Sequence, residues 1–106
     1  MTWSVYILKC SDKTLYTGIT NNIARRLEDH ESGNGAKYTK GRGPFKLVYQ
    51  EFLENRSLST KRESEIKKLN KQEKFALIDR HKERSRDLWN FSATQTNIIF
   101  IKNNRL

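Results

Sequence analysis

Two tyrosines sit in neighbouring apolar runs, Tyr6 in SVYIL and Tyr16 in LYTGIT, and Arg26 follows the second by ten residues. His30 comes four residues after Arg26, and the segment KRESEIKKL places Glu63 further along the chain. Residues of these types can do phosphate chemistry. A guanidinium offers a fork of donors that matches phosphate oxygens, and it stays charged at any working pH. A phenol titrates near ~10, so it serves as a base at neutral pH only where nearby cations pull that value down. One carboxylate suits one largely hydrated divalent ion, whereas a two-metal site needs several converging carboxylates. Each residue also has an ordinary reading. A strand tyrosine is usually a core or cross-strand aromatic, a helical arginine is usually a solvated group, and Glu63 could simply pair with Lys67 one turn on.

For these groups to meet, the chain must carry them to one sheet face. Trp3, Val5 and Ile7 alternate with Ser4, Tyr6 and Leu8, which predicts a strand partly buried on both faces. Ser11-Asp12-Lys13 has turn chemistry and Leu15, Thr17 and Ile19 resume the alternation, so residues 3–20 read as a β-hairpin. With the turn centred on Asp12, Leu8 falls opposite Tyr16 and Tyr6 opposite Gly18. Both tyrosines then share a face as diagonal neighbours. Thr20-Asn21 supplies the cap of a helix running to about Glu31, with Ile23 and Leu27 buried and Gly33 as its stop. Arg26 and His30 lie on one side of that helix.

Residues 33–44, GNGAKYTKGRGP, form a glycine-rich loop without an acid, and PFKLVYQEFL after it predicts a third strand. Residues 57–69 suit a second helix with Leu58, Ile66 and Leu69 facing inward and Glu63 at the edge of that stripe. Glu65, two positions on, is turned about 200° away, so only one of these carboxylates can face the sheet. Glu63 is the choice, since it flanks Ile66. Asn70-Lys-Gln-Glu73 has capping-box spacing and starts a third helix with Phe75, Ala76 and Ile78 as inner residues. After Arg84 the pattern weakens, and one β-like run, Asn97 to Lys102, stands in polar sequence as an added edge strand or a mobile tail. The expected organisation is one α+β domain over residues 1–84 and a C-terminal extension over 85–106.

Bulk properties narrow the class. With 106 residues the chain makes one domain, and 35% hydrophobic against 31% charged residues predicts a small core under a heavily charged surface. A formal net charge of +9 favours a polyanionic partner, because neutralising phosphates releases condensed counterions. Nucleic acid comes first in that class and an anionic membrane surface second. Cys10 is the single cysteine, so no internal disulfide forms, and it has no metal-ligand companions. No signal peptide or membrane-length apolar run is present, which predicts a cytoplasmic protein.

The sequence carries no phosphate-cradling GxxxxGK[ST], no GxSxG, no HExxH and no paired-cysteine zinc spacing. What it does carry, in order, is VYIL, LYTG, Arg26 ten residues after Tyr16, His30 and KRESEIKKL. This ordered set resembles the GIY-YIG nuclease superfamily over roughly residues 2–83. The resemblance is strongest to its small single-domain bacterial members, which share their core with the nuclease component of bacterial excinuclease and with phage intron homing endonucleases. Here the first motif is Ser4-Val5-Tyr6 and the second Tyr16-Thr17-Gly18, with tyrosines and glycine kept.

The resemblance implies a three-stranded antiparallel sheet flanked by helices in β-β-α-β-α-α order. It also implies a metal-dependent endonuclease hydrolysing nucleic-acid phosphodiesters, DNA before RNA, in repair or recombination. Carried onto this chain, Tyr16 activates the water as general base or its relay, and Tyr6 positions that water. Arg26 holds the scissile phosphate, Glu63 binds a single Mg²⁺ (or Mn²⁺), and His30 orders the phosphate or Tyr16. Two departures stand out: the asparagine that larger members carry near the end of the module has no clear counterpart, and no separate DNA-binding domain is evident. A monomer is the favoured state.

The loop adds a second expectation. Lys37, Lys40, Arg42 and Lys46 interleave with Tyr38 and Phe45, a composition suited to tracking a phosphate backbone while an unpaired base stacks. A solvated loop whose Tyr38 packs on the core is the plain alternative. The rival function is a non-catalytic nucleic-acid-binding module on the same scaffold.

Overall fold

The computed structural model describes residues 2–92, and side chains as far as Lys82. Its elements are β1 (Trp3–Lys9), β2 (Leu15–Thr20), α1 (Ile23–Ser32), a 3-10 turn (Lys37–Thr39), β3 (Lys46–Leu53), α2 (Arg56–Lys67) and α3 (Lys71–Ser92). The three strands form one antiparallel sheet in the order β2-β1-β3. This is the α+β architecture and element order expected from the sequence.

Hairpin register comes out as the Asp12 turn predicts: Leu8 pairs with Tyr16 and Tyr6 with Gly18. The turn is locked locally, since the Asp12 carboxylate accepts from the Thr14 amide at 3.1 Å and from its hydroxyl at 2.6 Å. Lys13 takes a positive φ of 70° to close it. Between β1 and β3 the pairing shifts after Ile7, so that Ile7 faces Tyr49 while Leu8 faces Leu47. The residue between them, Val48, is the bulge.

The central strand is the core. Val5, Tyr6, Ile7 and Leu8 have no exposed surface, and Ile66 from α2 is equally buried. α2 packs on all three strands and is tied to β3 by Arg62, whose Nε donates to Glu51 at 2.9 Å. Tyr49 donates to the same carboxylate oxygen at 2.5 Å.

Several side chains depart from the apolar-stripe expectation. Leu58 is exposed, and Ser59 beside it is fully buried, because the Asn55 cap starts α2 with Leu58 in its first turn. Leu69 lies beyond the last turn of α2 and is only half-buried. On α1 the cap is Asn22, one residue later than expected, and His30 is buried while Ile23 and Leu27 are half-buried. Gly33 does end the helix, at φ 85°.

The chain divides into two compact units, the first ending at Leu69 and the second starting at Asn70. In the second, Asn70 and Glu73 form a reciprocal capping box, with amide-to-side-chain bonds of 2.9 and 2.8 Å. Among its described residues Leu77 and Ile78 are buried, Phe75 is half-buried and Ala76 is exposed, so Leu77 takes the place expected of Ala76. α3 runs through Ser92, which makes the first eight residues of the expected 85–106 extension helical. The β-like run at 97–102 lies outside the described residues. No helix among the described residues is long and apolar enough to cross a membrane.

Candidate active site

The site is built on the β1–β2 hairpin. Tyr6 and Tyr16, diagonal neighbours in the register, have ring centroids 6.3 Å apart. Their closeness depends on Gly18. A Cβ there would stand 2.7 Å from the Tyr6 hydroxyl and 3.0 Å from the Tyr16 ring, so Tyr6 lies across the space a side chain would fill.

α1 delivers two groups to this pair. The Arg26 guanidinium interacts with both phenol oxygens. Burial opposes its charge, but the two phenols outweigh that and hold its pKa above the ordinary arginine value. It also reaches Asp29 at 3.8 Å, a loose pair between half-exposed groups. His30 sits one turn on, 2% exposed, with Nε2 2.8 Å from the Tyr6 hydroxyl and Nδ1 2.8 Å from Thr39 Oγ1. Its ring also meets Tyr16 edge-on at 5.2 Å. Both ring nitrogens are taken by protein, so His30 orders Tyr6 where the sequence expectation has it ordering the phosphate or Tyr16.

Burial sets the charge states. It pushes the Tyr6 pKa up to about 12, with Tyr16 and Glu63 adding to the rise and Arg26 opposing it. Tyr6 is therefore a protonated phenol across the physiological range. Tyr6 is also wholly buried, with its hydroxyl 2.8 Å from His30 Nε2. Burial likewise pulls His30 below the usual imidazole range, helped by the Arg26 charge and opposed by Asp29 and Glu31.

α2 delivers the carboxylate. Glu63 lies close enough to Tyr6 to act on its titration, its side chain is 20% exposed, and Lys67 approaches it at 3.4 Å. Glu65 is turned outward, 52% exposed and paired with Arg62. Among the described residues no three His, Cys, Asp or Glu side chains gather to enclose an ion. One partly exposed carboxylate is a donor that fits a hard divalent cation keeping most of its ligands as water and phosphate oxygen.

The basic loop closes over one end of the site. Tyr38, 47% exposed, stacks on Tyr16 with centroids 5.9 Å apart and planes 25° apart, while the Arg42 guanidinium lies 4.6 Å over the Tyr38 ring. Arg42 also pairs with Asp12, and its carbonyl accepts from the Ser11 amide at 2.8 Å. The other flank is held by Glu31, which accepts from the Phe45 amide at 2.8 Å. Tyr38 is thus neither core nor free. Lys37 and Lys40 lie along the same loop and Lys46 opens β3 at its end, and Arg42 is half-buried and held by its partners.

Thr39 and Gly35 are functional candidates the sequence does not single out. Thr39 is 1% exposed, and a threonine within a basic loop carries no periodic signal. A Cβ at Gly35 would come 2.5 Å from His30 Nδ1, a close approach that a glycine in a glycine-rich loop hints at only generally.

Comparison with known proteins fits this geometry. Residues 2–76 match the family described as GIY-YIG catalytic domain. A UPF0213 protein of Clostridium perfringens is 58% identical over 74 residues, which cover 70% of this chain and 80% of that one. One of Syntrophus aciditrophicus is 57% identical over 81 residues, covering 76% and 93%. The solution NMR structure of a UPF0213 protein from Bacillus halodurans superposes with a TM-score of 0.50 at 43% identity, covering 74% of this chain and 84% of that one. That of an E. faecalis protein gives 0.53 at 39% identity, covering 76% and 88%.

Proposed function

The chain belongs to the GIY-YIG family of nuclease domains, and on that premise we propose that it is a metal-dependent endonuclease hydrolysing phosphodiester bonds, of DNA before RNA. Repair or recombination is the process such an activity serves. The observation that supports this reading is the interaction of Arg26 with both tyrosine hydroxyls, on a hairpin where Tyr6 also feels the Glu63 charge.

Arg26 binds the non-bridging oxygens of the scissile phosphate and offsets the charge that builds there. Tyr16, half-exposed where Tyr6 is buried, takes a proton from the attacking water or relays it. Tyr6 and His30 act as positioning residues that hold Arg26 and Tyr16 in place. Glu63 would hold a divalent cation, Mg²⁺ or Mn²⁺, whose contribution when bound is Lewis-acid stabilisation of the phosphate and leaving oxygen. Lys37, Tyr38, Lys40, Arg42 and Lys46 carry the flanking nucleotides, with Tyr38 fixed against Tyr16, Arg42 over Tyr38, and the three lysines supplying charge along the backbone.

A panel of labelled flaps, forks, single strands, duplexes and RNA, incubated with Mg²⁺ or Mn²⁺, tests the reading. Glu63→Ala, Tyr16→Phe and Arg26→Ala should each abolish cleavage while leaving the fold intact. The Lys67–Glu63 contact at 3.4 Å favours one second reading, a non-catalytic nucleic-acid-binding module in which Glu63 is a helix ion-pair partner. That module shows salt-sensitive binding with no turnover on any substrate and is indifferent to Glu63→Ala.

A further inference from the structure

The buried chain of hydrogen bonds behind Tyr6 has a direction, and that direction is set at its far end. The Ala36 carbonyl can only accept, and Thr39 Oγ1 lies 2.9 Å from it as the donor. A hydroxyl has one proton, so toward His30 Nδ1, 2.8 Å away, Thr39 Oγ1 can only accept. Nδ1 therefore carries the imidazole proton. A neutral ring protonated at Nδ1 presents a lone pair at Nε2, which accepts from the Tyr6 hydroxyl at 2.8 Å. The Tyr6 proton is thereby committed to His30, and its oxygen lone pairs are left for the Arg26 guanidinium, which has donors only.

We propose that Thr39 is a positioning residue of the active site: its hydroxyl fixes the His30 tautomer and so keeps Tyr6 a hydrogen-bond acceptor toward Arg26. With the other tautomer, Nε2–H would donate to Tyr6, and the Tyr6 proton would have to turn toward Arg26, donor against donor. Arg26 would lose its seat on Tyr6. Water cannot substitute for the threonine. Thr39 and His30 are 1% and 2% exposed, and the Gly35 backbone covers Nδ1 so closely that a Cβ would meet it at 2.5 Å. The charged groups acting on the ring are Arg26, Asp29 and Glu31, none of them bonded to a ring nitrogen, and the lowered pKa of His30 keeps the ring neutral at working pH.

The catalytic consequence rests on the nuclease reading, but the tautomer does not, and the experiment separates them. Long-range ¹H–¹⁵N correlation on ¹⁵N-labelled protein at neutral pH reports which His30 nitrogen is protonated. Wild type should show Nδ1–H with Nε2 as the bare nitrogen, Thr39→Ser should keep that pattern, and Thr39→Val should move the proton to Nε2. In the cleavage assay Thr39→Val should lower kcat about tenfold, the worth of one misdirected hydrogen bond, and Thr39→Ser should restore it. A wild-type ring protonated at Nε2 overturns the proposal, even if Thr39→Val does not fold. So does a Thr39→Val protein that keeps the Nδ1 proton or cleaves at the wild-type rate. A wild-type chain that shows the Nδ1 tautomer but never cleaves supports the hydrogen-bond assignment and counts against the nuclease reading alone.

Discussion

α1 and α2 each carry one charged side chain that acts on Tyr6, yet they are seated on the sheet by opposite means. α1 is held through a polar plug: His30, buried to 2% exposure, bonded on one side to Tyr6 and on the other to Thr39. α2 is held through an apolar one, Ile66 at 0% exposure, with Arg62 reaching Glu51 from the rim. A polar plug is directional and sensitive to protonation, whereas an apolar plug depends on volume alone. The arginine proposed to meet a phosphate with a set orientation rides on the directional helix. The carboxylate that would hold a mostly hydrated ion rides on the other.

Removing the apolar plug should have the largest effect on stability. Ile66→Ala leaves a cavity under α2 and should cost about 2–5 kcal/mol, read as a lower urea midpoint, with the same loss at pH 5.5 as at 7.5. Next comes His30→Ala, which strands the Tyr6 hydroxyl in the core and should cost about 1–3 kcal/mol. A loss confined to acid pH in Ile66→Ala, or none in His30→Ala, would dissolve the contrast.

Protonation sharpens it further. The folded-state pKa of His30 lies below its unfolded value, so the unfolded chain binds more protons in that window. Stability is then fully present above about pH 6.5 and falls as pH drops through and below that value toward the folded pKa. His30→Gln should flatten this part of the urea-midpoint profile and leave the loss at lower pH, where Asp12 with its lowered pKa contributes, in place. The smallest effects belong to the α2 rim and interior. Arg62→Met, at a group 31% exposed, should cost no more than about 1 kcal/mol, and less at high salt. Ser59 Oγ has no hydrogen-bond partner among the described residues, so Ser59→Ala should leave the midpoint unchanged or raise it slightly.

The same division explains what could be read from the sequence. The hairpin register was legible because alternation and the Asp12 turn specify it together, and a one-residue slip would turn every side chain over. Ile66 was legible as part of an apolar stripe. Leu58, Ser59, His30 and Thr39 were not, since a stripe argument sends apolar residues such as Leu58 inward, whereas the buried places here go to polar side chains. What makes Ser59 and His30 inward is helix phase set by the Asn55 and Asn22 caps, and for Thr39 it is a long-range contact with His30. The pairing of Tyr6 and Tyr16 across the hairpin followed from the register, whereas the roles proposed for Arg26 and Glu63 rest on the ordered set of residues. The complete burial of Tyr6 required the packed structure.

The central claim is that Glu63 and Arg26 serve a reaction at the tyrosine pair. Its most direct test is Mg²⁺-dependent cleavage of a labelled DNA panel by Glu63→Gln, with binding to the same oligonucleotides measured in parallel. Turnover should fall at least about a hundredfold while binding stays within about twofold of wild type. Cleavage that survives both Glu63→Gln and excess chelator in pure protein would contradict it.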